Sequence, residues 1–197
     1  MPYSLDDEKQ KANADLAIVR HQVLPRLRKL MISWSGLFAL AATGALLLMV
    51  PLLPAARLEI REVANLGFNF ASIAMGACLS ALVLSLGLPG ASRLRTWATL
   101  DAPNGKSRLS NLVFSFFWAG SCQLLVILTC ILATLFGGDQ SLAELPMPLT
   151  HWAGLGLGFF VFFYALSQLY IVLQTLVQTG VVIIFEERIS QPPPPGE

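Results

Sequence analysis

Four stretches of this chain carry no Asp, Glu, Lys or Arg: residues 30–56, 63–92, 109–138 and 145–185, of 27, 30, 30 and 41 residues. Nothing else in the sequence limits the fold as strongly. A transmembrane helix needs about 20 predominantly apolar residues to cross a hydrocarbon core of roughly 30 Å. Each stretch is long enough for one span, and the last is too short for two with a turn. Lipid offers no partner to backbone N–H and C=O groups, so apolar runs of this length must be helices. The alternating pattern of a membrane β-barrel is absent. The expected fold is an all-α integral membrane protein with four transmembrane helices, near 31–53, 64–87, 110–136 and 150–174.

Composition points the same way. Of the 197 residues 55% are hydrophobic and 13% charged, against about 25% charged in an ordinary soluble domain. Mean hydropathy is +0.64. A net charge of +1 speaks against a strongly basic nucleic-acid binder. Three cysteines, none in a C-x-x-C, speak against a disulfide scaffold or a thiolate zinc site.

Helix-breaking residues mark the span ends. Pro51 and Pro54 close the first, Leu88-Pro89-Gly90 the second and Gly137-Gly138-Asp139 the third. Pro146 and Pro148 precede the fourth, with Thr150 as its expected N-cap. The first apolar region is too long for a cleavable signal and 29 residues precede it, so it is expected to remain as an anchor. Lys and Arg near the helix ends set the orientation. Six lie before the first span, four in 88–109 and one after the fourth, against two in 54–63 and none in 137–149. With both termini cytoplasmic the split is 6 + 4 + 1 = 11 inside and 2 outside.

The water-exposed segments follow. Residues 1–29 read as an amphipathic, basic arm: Ala12, Leu16, Val19, Val23, Leu27 and Leu30 recur at threes and fours, and Arg20, Arg26, Arg28 and Lys29 crowd its second half. It is either a surface helix placed by the positive-inside bias or a docking element for anionic lipid or a protein. In the 88–109 loop, Arg93, Arg95 and Trp97 suit the headgroup layer, with Trp97 as an interfacial anchor. The 30–180 bundle is followed by 181–197, an apolar run through Val181, Ile183 and Phe185, then Glu186, Glu187 and a Pro-rich tail. Residues 150–185 would extend about 54 Å as one helix, well beyond the core. The apolar end therefore emerges on the cytoplasmic side, as a tilted packed helix or as a docking surface.

No Asp, Glu, Lys or Arg lies within any predicted span, whereas proton relays, voltage sensors and ion-coupled carriers are built on such residues. The carboxylate that small four-helix multidrug transporters need in their first span is missing, as are the paired cysteines of quinone-linked thiol oxidases. The loop cysteines of claudins, tetraspanins and connexins are missing too. Only two histidines are present, His21 in the basic arm and His151 at the outer boundary, too few for a metal site or a catalytic triad of the known kinds. No enzyme activity, cofactor, metal or nucleic-acid partner is expected.

What remains are neutral polar and small residues. Asn65, Asn69, Ser72, Gly76 and Ser80 step by four, three, four and four, so they share one helix face. Gly154 and Gly158 form a G-x-x-x-G. These positions are candidates for helix packing within the bundle or for self-association. Asn69, Gln168, Gln174 and Gln178 are candidate pore-lining residues if the oligomer conducts. The leading expectation is a protein that works by association: a homo-oligomer in the plasma membrane, the inner membrane if bacterial, presenting cytoplasmic helices to a soluble partner or to anionic lipid. A channel or membrane-permeabilising effector is the alternative, and a small transporter comes third. In span count and topology alone, with no shared motif, the chain resembles the small four-helix membrane subunits of bacterial anti-phage systems such as Kiwa. That resemblance implies a membrane sensor or anchor paired with a cytosolic effector.

Overall fold

The computed structural model describes residues 33–49, 59–87, 89–99, 108–137 and 148–190. They form five helices: α1 (Trp34–Met49), α2 (Ile60–Gly87), α3 (Gly90–Thr99), α4 (Arg108–Gly137) and α5 (Leu149–Ser190). No strand occurs among the described residues, apart from a single bridge residue at Glu59. The basic N-terminal arm, with Arg20, Arg26, Arg28 and Lys29, and the Pro-rich tail lie outside the described residues.

Three helices, Ile60–Gly87, Leu109–Gly137 and Leu149–Phe185, are long and apolar enough to cross a membrane. The chain is thus a helical membrane protein. α1 is apolar but has only 16 residues, about 24 Å, so its described part falls short of a full crossing. Polarity runs opposite to that of a soluble protein. Leu66, Ile73, Val83, Leu135 and Phe136 are exposed, while Gln123 and Gln168 are buried. Such an outer surface suits lipid rather than water.

The spans run antiparallel in chain order. The tightest seam joins α2 and α4. Along α2, Ile60, Ala64, Gly67, Ala71, Ala74, Cys78, Ala81 and Ser85 advance by alternating fours and threes and turn inward. On α4, Phe116, Ala119, Gln123, Val126, Cys130, Ala133 and Gly137 do the same. Two heptad faces of this kind lock together along their length. A Cβ on Gly67 would lie 2.9 Å from Cys130 Sγ, and one on Gly137 would lie 2.7 Å from Ile60 Cγ2. Small residues are what let these backbones approach.

α5 packs on the other side of α4, with Gly158 opposite Thr129, and also touches α2. Among the described elements α1 packs on α5 alone. Its Leu47 lies against Gly156, and Ala39 is fully buried.

Several boundaries differ from expectation. α2 begins at Ile60 rather than near residue 64, because Glu59 already accepts the amides of Glu62 and Val63 and starts the first turn. The N-cap of α5 is Pro148, not Thr150: its carbonyl accepts from His151 and Trp152, which puts Thr150 inside the first turn. The expected 88–109 loop contains a helix, α3. Gly90 supplies the turn into it with φ +72°, a conformation that favours glycine. Trp97 is 8% exposed, packed into the protein where an anchor in the headgroup layer was expected. α5 itself continues unbroken for 42 residues, about 63 Å, so the apolar run at 181–185 lies on the same helix as the fourth span.

Candidate functional site

The polar face of α2 is built first from its helical period. One face of the helix holds the small residues of the α4 seam. Asn65, Asn69, Ser72, Gly76 and Ser80 lie about half a turn away around the axis. All five are exposed. Packing within the monomer is therefore the work of the opposite face, and this stripe is left pointing out of the fold. A Cβ on Gly76 would meet nothing within 4 Å. The Ser72 hydroxyl donates to the Phe68 carbonyl at 2.8 Å, so it is satisfied by its own helix. The carboxamides of Asn65 and Asn69 have no such local acceptor, and neither has a hydrogen-bond partner among the described residues.

The α5 polar residues separate. Gln168 is 3% exposed and sits inside the bundle. Gln174 and Gln178 face outward, Ser167 donates to Tyr164 and Thr175 donates to Ile171. Asn69 and Gln168 therefore do not line a common path within one chain. Sequence reasoning passed over Gln123, which is fully buried where α4 meets α5. Its Nε2 donates to the Ala165 carbonyl across the seam at 3.0 Å, while its Oε1 has no hydrogen-bond partner. The spacing of Gln123 with Ala119, Val126 and Cys130 marks it as an inward position, and that signal is visible in the chain.

Gly158 makes ordinary contact with Thr129 at 3.8 Å, and Gly154 has open space beside it. Both line a cavity of about 760 Å³ at the end of the bundle where α1 and α4 finish and α2 and α5 begin. Its walls are almost wholly apolar, with Thr129, Thr150 and His151 as the polar side chains among the described residues. His151 Nε2 is shielded from solvent without a hydrogen-bond partner.

At the opposite end of α5, Val181, Val182, Ile184 and Phe185 are exposed and Ile183 is half-buried. The apolar run thus turns Ile184, rather than Ile183, outward beside Phe185. The three cysteines are free, and Cys78 and Cys122 are buried. No group of three or more His, Cys, Asp or Glu side chains comes together among the described residues. The chain matches no protein-family model, no curated protein sequence and no solved structure.

Proposed function

We propose that this is a non-enzymatic membrane protein of the plasma membrane that acts by assembly: copies associate through the outward face of α2, and the end of α5 holds a cytosolic partner. The observation that carries the reading is the exposure of Asn65, Asn69, Ser72, Gly76 and Ser80 on one face. A carboxamide facing hydrocarbon without a partner costs about 4–8 kcal/mol on a water-to-cyclohexane scale. Asn carries both donor and acceptor, so two copies of the face can satisfy each other. Ser72, Gly76 and Ser80 repeat a small residue every fourth position, which allows the close approach such pairing needs. A second copy of this chain fits better than lipid.

Disulfide trapping in native membranes tests it. In a background with the three native cysteines replaced, Ser72→Cys and Ser80→Cys should give covalent dimers under mild oxidation. Phe117→Cys and Leu124→Cys, also exposed but on the side of α4 turned away from α2, should stay monomeric. Equal trapping at all four positions, or none at 72 and 80, sinks the reading.

A further inference from the structure

We propose that the cavity at the His151 end is a lipid site, holding one acyl chain of a bilayer glycerophospholipid with its ester and phosphate region at the first turn of α5. The volume of about 760 Å³ falls within the range of pockets that enclose small ligands. Its walls, from Leu46, Phe70, Ala133, Leu155 and Phe159, offer an acyl chain dispersion contacts and nothing to hydrogen-bond. Water is a poor occupant, since a buried water needs two to four polar partners. Apart from Thr129, whose hydroxyl donates to the Leu125 carbonyl at 2.8 Å, the polar side chains lie where a lipid would need them. His151 Nε2 is shielded from solvent and unpartnered. Beside it the amides of Leu149 and Thr150 precede the first intrahelical bond, from His151 to Pro148. Exposed N–H groups at a helix start favour an anionic oxygen. The apolar wall and the polar rim thus match the two halves of one amphiphile. Gly154 and Gly158 are small because the chain passes over them, which explains a G-x-x-x-G with open space at its first glycine.

The test uses the full-length protein in phosphatidylcholine vesicles doped with a phosphatidylcholine that carries a diazirine on one acyl chain. After photolysis, adducts are mapped by mass spectrometry. Adducts on Leu155, Phe159 and Phe162 should outnumber those on Leu124 and Leu128, which are exposed on the outside of α4. Gly154→Leu adds a side chain at a cavity wall where a Cβ meets nothing within 4 Å, and should abolish the cavity adducts while sparing Leu124 and Leu128. His151→Ala leaves the walls intact and should lower the cavity adducts about fivefold, the factor set by one hydrogen bond. Equal labelling inside and outside, or cavity labelling indifferent to both variants, overturns the proposal. So does a disulfide trapped between cysteines at 142 and 155 in unlabelled protein, which would make the chain's own 138–147 segment the occupant.

Discussion

Single glycines already separate the two faces of α2. Gly67 and Gly76 are nine residues apart on one helix, yet a Cβ meets Cys130 Sγ at 2.9 Å from the first and nothing within 4 Å from the second. Gly67→Leu should therefore overpack the α2/α4 seam and cost about 1–3 kcal/mol. The check is a lowered unfolding midpoint in mild detergent. Gly76→Leu should leave that midpoint within error and act only on assembly, as a loss of apparent mass on a sizing column. Gln123 gives a second contrast. With one hydrogen bond made and its Oε1 unpaired, Gln123→Leu should change stability by less than about 1 kcal/mol, since interhelical bonds in membranes average about 0.6 kcal/mol. Gln123→Ala should cost more, about 2 kcal/mol or above, through the cavity it opens. Equal losses for both variants would show that the carboxamide, not its volume, holds the seam. Residue identity was legible here only in part. Polar residues draw the eye, so the Asn and Ser stripe stood out, while the Ala, Gly and Cys positions that pack α2 on α4 look bland one at a time. Their four-three alternation is the signal, and it is as regular as any in the chain.

At the scale of elements, each charge-free stretch contains one apolar helix because lipid leaves the backbone no other solution. They do not determine where a helix stops. Gln174, Thr175 and Gln178 bring polar side chains into the run, but none of them breaks the backbone ladder, and α5 runs on to Ser190. Nor does a basic loop announce a helix: α3 exists because Gly90 turns the chain and Trp97 finds a buried seat. The cavity was not legible at all, since its walls come from helices far apart in the chain. The exposed end of α5 carries its own prediction. Ile184→Ser with Phe185→Ser should release a cytosolic partner in pull-down from detergent extracts, with membrane insertion and yield unchanged, because both side chains are more than half exposed. Undiminished recovery of the partner would assign the end of α5 to another role and leave the basic stretch at Arg20, Arg26, Arg28 and Lys29 as the docking candidate.

For the whole molecule, orientation rests on the 11-to-2 division of Lys and Arg. Asn104→Cys should be closed to an impermeant maleimide added outside intact cells and open to it in inside-out vesicles. Labelling from outside would invert the protein, and with it the assignment of the α5 end to the cytoplasm. The way the helices join has a consequence in time. Among the described helices α1 is synthesised before all the others, yet α5, the element it packs on, comes after them. About 100 residues separate the end of α1 from the start of α5, and at 5–20 residues per second their synthesis takes on the order of 5–20 s. During that interval α2 and α4 can zip together while the face of α1 that α5 covers stays open. The described bundle is therefore born in two parts, and α1 waits for α5.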